Sequence, residues 1–258
     1  MASMNRPIQD WRTQRVWLVG ASSGIGEAFA QALLAAGAKV VLSARRESEL
    51  RRVAGAHALA AVVAFDAAAE AEWPAAHAKA EAAFGGLDLV VFLAARYEPQ
   101  RAWELDAAAA TRSFELNVLS VYRGLTLVLP AMLANGCGGV ALVASVSGYT
   151  GLPKASVYGA TKAALINLAE TLYFDLAPRG LAIYLVNPGF VATPMTRAND
   201  FSMPELMTPQ AAAQAMLAGM AAGRFEIRFP RRFTSMLWWL SRLPYSWRFP
   251  LLHKVTGL

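Results

Sequence analysis

The stretch VYGATK, Val157 to Lys162, sets a phenol and an ammonium four residues apart. On a helix, positions i and i+4 share a face one turn apart, so both side chains can address one bound molecule. A tyrosine with an ordinary pKa of ~10 moves no proton near neutral pH unless it is tuned, and a neighbouring cation favours its phenolate. The pair Tyr158 and Lys162 therefore suits proton exchange with an oxygen that gains or loses charge. The same spacing also occurs on solvated helix faces, so the elements around it must decide.

Those elements alternate. RVWLVG (15–20), AKVVLSA (38–44), LAAVVAFD (59–66), LDLVVFLAA (87–95), GGVALVASVS (138–147), LAIYLVNPG (181–189) and FEIRF (225–229) read as strands. Helical patterns lie between them at 24–37, 47–55, 73–84, 111–133, 156–177 and 208–223. Six of these strands are nearly continuous in Val, Leu, Ile and Ala without a polar alternate face, the pattern of parallel strands covered on both sides. Repeated β-α units of this kind predict an α/β fold, a Rossmann-like doubly wound parallel sheet of about seven strands with helices on both faces. No internal linker breaks the series. Residues 13–230 are expected to form one domain, preceded by an extension over 1–12 and followed by another over 231–258.

Composition narrows the class. Apolar residues make up 56% of the 258 residues and charged ones 16%, enough for a large core and against disorder. No run approaches the ~18 apolar residues of a membrane span, and MASMNRPIQDWR lacks the apolar region of a secretory leader. Cys137 is the only cysteine, and His57, His77 and His253 are too scattered for a metal site, so none is expected. These features point to a cytoplasmic protein. The segment from Arg224 to Leu258 holds seven of the 24 basic residues and one of the 18 acids, so the whole formal excess of +6 sits there. The body of the chain has no nucleic-acid footprint.

GASSGIG, Gly20 to Gly26, falls between the first strand and the first helix. Glycines there allow a tight turn and bring backbone N–H groups and a helix N-terminus to a pyrophosphate. Gly20, Ser22, Ser23, Gly24, Ile25 and Gly26 are thus candidate cofactor contacts. At the end of the second strand, where an acid would hold the ribose 2′-OH of NAD, the chain reads SARRES, with Arg45 and Arg46. Guanidinium groups suit a 2′-phosphate, which favours NADP(H) over NAD(H). Against this, the two arginines could simply open a solvated helix and pair with Glu47 and Glu49.

Taken together, these motifs resemble the short-chain dehydrogenases/reductases over roughly residues 13–229. GASSGIG is similar to their phosphate loop, and Tyr158-x-x-x-Lys162 to their catalytic pair. Ser145 lies thirteen residues before the tyrosine, where the family carries its catalytic serine. Asn117, in FELNVLS, is similar to the family's helix asparagine, and Asp66 to the acid that meets the adenine. NPGFVAT (187–193) resembles the segment that supplies Pro188, Gly189, Val191 and Thr193 to the cofactor. Two departures stand out. Val19 replaces a common threonine, and Phe92-Leu93-Ala94-Ala95 replaces an N-N-A-G, which removes two amides but leaves the small pair Ala94 and Ala95 beside the cofactor.

The resemblance implies an NADP(H)-dependent oxidoreductase that interconverts a carbonyl and an alcohol. It implies that Tyr158 exchanges the proton and that Ser145 holds the substrate oxygen, with Ser147 close enough to compete. Lys162 would lower the tyrosine's pKa and hold the nicotinamide ribose, and Asn117 would anchor a proton-relay water. It also implies a homodimer or homotetramer. The competing class is a non-catalytic dinucleotide sensor or scaffold on the same fold.

The segment 190–207 is the expected substrate lid. Phe190, Met195 and further methionines give it an adaptable apolar lining, which suggests a hydrophobic, lipid-like substrate. In the tail, Phe233, Met236, Leu237 and Leu240 recur at helical spacing beside Trp238 and Trp239, with arginines at the ends. A short basic helix of this kind can cap the pocket, pack on another subunit or lie on an anionic membrane. Packing is favoured, because three tryptophans in water invite aggregation.

Overall fold

The computed structural model describes residues 3–199 and 201–256. Among these the strands are β1 (Arg15–Val19), β2 (Lys39–Ser43), β3 (Ala60–Val62), β4 (Leu89–Phe92), β5 (Gly139–Val143), β6 (Ala182–Pro188) and β7 (Glu226–Phe229). They form one parallel sheet in the order β3-β2-β1-β4-β5-β6-β7. The order reverses between β1 and β4, which opens a crevice at the carboxyl ends of these strands.

Both faces of the sheet are buried, which explains the continuous apolar runs. Val16, Leu18, Val40, Leu42, Val91 and Val186 point to one cluster, covered by α1 (Gly24–Ala35), α2 (Glu47–Ala54) and α7 (Pro209–Ala221). The alternate residues Trp17, Val41, Val90, Leu142 and Ile183 point to a second cluster, covered by α3 (Trp73–Phe84), α5 (Ser120–Asn135) and α6 (Ser156–Leu176).

Two boundaries differ from the sequence reading, each for a physical reason. β3 is an edge strand and keeps ladder geometry for only three residues, although Val63 and Phe65 still donate to Leu42 and Ala44 carbonyls at 3.0 and 3.1 Å. The helix expected from Thr111 starts earlier, at α4 (Ala107–Phe114), because Asp106 caps it by accepting from the Ala108 N–H at 2.8 Å. A five-residue π-turn, Glu115–Leu119, then joins α4 to α5. The combined helix Ala107–Asn135 is long and apolar enough to cross a membrane by length and composition, which the sequence reading did not anticipate. One side of it, including Val121, Leu125, Val128 and Met132, is seated in the second cluster.

Both terminal extensions pack against the domain. The buried Asn5 side chain donates to the Ile183 carbonyl at 2.8 Å and accepts from its N–H at 3.1 Å, and Trp11 enters the core. The tail forms two helices, α8 (Arg231–Leu240) and α9 (Tyr245–Thr256), not one. Pro244 separates them, since its ring cannot continue a helix, and its carbonyl instead accepts from Trp247 and Arg248 at the start of α9.

Candidate active site

The turn from β1 to α1 forms one end of a cleft of about 340 Å³. Gly20 is required there. Its φ is +108°, and a Cβ would fall 2.4 Å from the Ala94 nitrogen. The strand ends are stitched by backbone alone, with the Leu93 and Ala94 N–H groups both donating to the Val19 carbonyl at 2.8 Å. Backbone bonding thus bridges this junction in a chain that lacks both amides of N-N-A-G.

Most of the residues expected to meet the cofactor line this one cleft. Ser22, Ser23, Gly24, Ile25 and Gly26 come from the turn and first residues of α1, Arg45 and Arg46 from the end of β2, and Asp66 from the loop after β3. Ala94 and Ala95 follow β4, and Pro188, Gly189, Val191, Thr193 and Met195 follow β6. The α1 N-terminus has no side-chain cap, so its first-turn N–H groups remain available for an anion. Glu47 pairs with Arg51 at 2.5 Å, while Glu49 and Glu27 pair with Arg52 at 3.0 and 2.8 Å. Arg45 and Arg46 are exposed, and neither pairs with a carboxylate among the described residues. A dinucleotide suits this set: a glycine cradle and helix N-terminus for phosphates, and two unpaired guanidiniums beside them.

Ser145, Tyr158 and Lys162 line the same cleft. Ser145 follows β5 on a short turn, 146–148, and Tyr158 and Lys162 occupy the first two turns of α6. Gly148 lets these two elements touch, since a Cβ there would lie 2.7 Å from the Lys162 carbonyl carbon. The Ser145 hydroxyl accepts from the Ser147 N–H at 3.1 Å and lies 3.2 Å from the Ser147 hydroxyl.

The electrostatics run against the expectation drawn from spacing. Burial pushes the Tyr158 phenol up to about 12, partly offset by its hydrogen bond with Ser145 and reinforced by Tyr97. Burial likewise pushes Lys162 down to about 7. The lysine amine donates to the Val143 carbonyl at 2.8 Å and sits 5.5 Å from the centre of the Tyr158 ring. Desolvation of both groups outweighs the attraction that would lower the phenol's pKa.

Three expected residues do not line the cleft. Asn117 is fully buried in the π-turn: its carbonyl accepts from the Arg96 N–H at 2.7 Å, and its amide donates to the Arg96 carbonyl at 2.9 Å and the Thr161 hydroxyl at 3.1 Å. It pins the loop after β4 to α6. Ser147 bonds to Ser145 through its N–H and its hydroxyl but does not itself line the cleft. Phe190 turns away into an aromatic group with Phe201 and Phe233, at 5.9 and 5.4 Å between ring centres. In the lid segment, Val191 bridges Met207, and Met207 packs on the core rather than on the cleft. Asp200 of that segment lies outside the described residues.

Two residues escaped the sequence reading. Tyr97 packs edge-on against Tyr158 at 4.9 Å, and its hydroxyl donates to the Asn199 side-chain carbonyl at 3.0 Å. The Thr196 hydroxyl donates to the Val191 carbonyl at 2.7 Å and accepts from the Thr193 N–H at 3.0 Å. An aromatic just past the carboxyl end of a strand is the only signal that pointed to Tyr97, and nothing local marked Thr196.

A family model described as short chain dehydrogenase matches residues 14–202. The chain belongs to the short-chain dehydrogenase family. It is 32% identical over 202 residues to an uncharacterized oxidoreductase of Staphylococcus aureus, covering 78% of this chain and 87% of that one. A short-chain dehydrogenase from Streptomyces avermitilis superposes with a TM-score of 0.78 at 27% identity, over 88% of this chain and 91% of that one. A 3-ketoacyl-(acyl-carrier-protein) reductase from Brucella melitensis, complexed with NADH, superposes with a TM-score of 0.78 at 28% identity, over 86% and 99%. This short-chain dehydrogenase is thus an oxidoreductase of the Rossmann type.

Proposed function

We propose that the protein is an NADP(H)-dependent oxidoreductase that interconverts a carbonyl and an alcohol on a hydrophobic substrate. One observation carries this reading: Ser145, Tyr158 and Lys162 meet in the same cleft that begins at the glycine turn. When bound, the nicotinamide supplies or accepts the hydride. Tyr158 gives its phenolic proton to the oxygen that gains charge, and Ser145 holds that oxygen by a hydrogen bond. Lys162 holds the cofactor ribose. Asn117 keeps the Arg96 loop and α6 in register behind the pair, and both of its amide hydrogens are committed to that role. The unpaired Arg45 and Arg46 support the choice of NADP(H), since they offer charge to a 2′-phosphate.

Residues 13–230 act in this reading as one catalytic domain, with 190–207 as its lid. Met195 lines the cleft and supports an apolar substrate. The exposed Phe114, Leu119 and Tyr122 of the α4–α5 helix, and Phe174 of α6, support a homo-oligomer seated on these helices. A ketone and alcohol panel followed by reduced-nicotinamide absorbance tests the reading. Tyr158→Phe should still bind NADPH but lose turnover by ~10²–10⁴-fold. A variant that keeps most of its activity overturns the proton-donor assignment, and a wild type inert on the whole panel that still binds NADPH favours the sensor reading.

A further inference from the structure

We infer that the helix pair α8–α9 is a seat for an anionic lipid bilayer surface. From Ile227 to Thr256 the chain carries no Asp or Glu, while Arg228, Arg231, Arg232, Arg242, Arg248 and Lys254 supply cations. Arg228 is engaged with Glu226 at 3.5 Å and stacks on Trp238. Arg231, Arg232, Arg242 and Lys254 are exposed and pair with no carboxylate among the described residues.

Phe233 is spent on the fold and Trp238 is held between Arg228 and Arg242, but Trp239, Tyr245, Trp247 and Phe249 stay exposed. α8 buries Phe233, Thr234 and Leu237 and turns Arg232, Met236 and Trp239 outward, a spacing that places these three on one face. Trp239 is 66% exposed. α9 buries Leu252 and leaves Tyr245, Trp247, Phe249 and Leu251 exposed, with Trp247 at 68% and one turn from Leu251. Packing against the domain therefore accounts for the inner sides of α8 and α9, where Phe233, Leu237 and Leu252 share one cluster, and leaves the exposed rings unexplained.

Charge decides between a bilayer and a second copy of the chain. In a two-fold contact the same patch meets itself, so unpaired cations would face cations with no acid in the segment to answer them. Interface cores are also depleted in charge. An anionic headgroup layer attracts the same cations, and tryptophan and tyrosine settle at the boundary between headgroups and acyl chains. Through Phe233, which packs on Phe190 and whose backbone N–H donates to the Glu205 carboxylate at 3.2 Å, the seat adjoins the lid. The inference holds whether or not the cleft turns over a substrate.

The test is vesicle flotation of the full-length protein, with phosphatidylcholine alone and with equimolar phosphatidylcholine and phosphatidylglycerol. The protein should float with the anionic vesicles at low salt and be released at high salt. Arg231→Ser/Arg232→Ser should weaken binding on the order of 30-fold, and Trp239→Ser/Trp247→Ser at least about tenfold, both with unchanged circular dichroism and thermal unfolding. Equal flotation with both lipids, or none, overturns the inference. So does a tryptophan variant that keeps its vesicle binding but loses mass in sedimentation velocity, since the face would then join two copies.

Discussion

Arg45→Asp should reverse the cofactor preference, and the size of the effect follows from where the residue sits. Arg45 is exposed at the end of β2, lines the cleft and has no carboxylate partner among the described residues. Its neighbours Glu47 and Glu49 are already committed to Arg51 and Arg52. Removing the guanidinium costs one charge-assisted hydrogen bond to a 2′-phosphate, about 1–2 kcal/mol at an exposed position. Placing a carboxylate near the phosphate adds repulsion: at about 5 Å and an effective dielectric of about 40, each pair of charges contributes roughly 1.7 kcal/mol before screening. With salt screening over about 8 Å, roughly 1–2 kcal/mol of this survives. The total of about 2–4 kcal/mol corresponds to a loss of about 30–1,000-fold in kcat/KM with NADPH. Arg46 still lines the cleft and holds the effect toward the lower figure. NADH carries no phosphate at that position and should lose little. The assay is kcat/KM for both cofactors with one ketone at fixed ionic strength. Equal losses with both, or no loss with either, would refute the role of this arginine pair and leave it as the start of a solvated helix.

Tyr97→Phe keeps the ring against Tyr158 but removes the hydrogen bond to Asn199. It should raise KM for substrate about 3–10-fold with kcat little changed; a kcat loss of Tyr158→Phe size would instead make Tyr97 part of the proton path. Lys162 also predicts a pH dependence of stability. Its pKa is pushed down to about 7 in the fold, below an unfolded value of ~10.4. Between these values the unfolded chain binds the extra proton, so the lysine's contribution to stability rises with pH, by at most about 1.4 kcal/mol per unit. Denaturant unfolding between pH 7 and 9.5 should therefore show a smaller upward slope for Lys162→Met than for wild type, and identical slopes would contradict the burial of a titrating amine.

The sequence carried the sheet because its strands are buried on both faces and so read as unbroken apolar runs. Trp17 and Leu18 serve opposite clusters, and no polar residue interrupts them. It carried most of the cleft because glycine at Gly20 answers a local demand, a positive φ and a close approach, that is written in the residue type. What it did not carry depends on contacts between distant segments. Asn5 meets Ile183, Tyr97 meets Tyr158, and Phe190 is drawn off the cleft by Phe233 from the tail. No local pattern records such pairings. The π-turn at Asn117 was equally silent, since its only marker is an asparagine whose three bonds reach residues 21 and 44 positions away.

The pKa directions also separate what the chain's own groups do from what they leave to a bound partner. A phenol pushed up to about 12 is fully protonated near neutral pH, the form that carbonyl reduction consumes. The same phenol is a poor base for drawing a proton from an alcohol. Lys162 does not remedy this by proximity, because its amine is itself desolvated and donates to the Val143 carbonyl. Oxidation therefore needs a cation beyond these side chains, and a positively charged ring beside the phenol would favour phenolate. On this reasoning the pH at which alcohol oxidation reaches half its limiting kcat should fall well below 12 in the ternary complex, while reduction at neutral pH stays close to its maximum. If both directions instead shared one alkaline midpoint near 12, the tyrosine would titrate independently of any bound cation, and the proton path would have to run through another group.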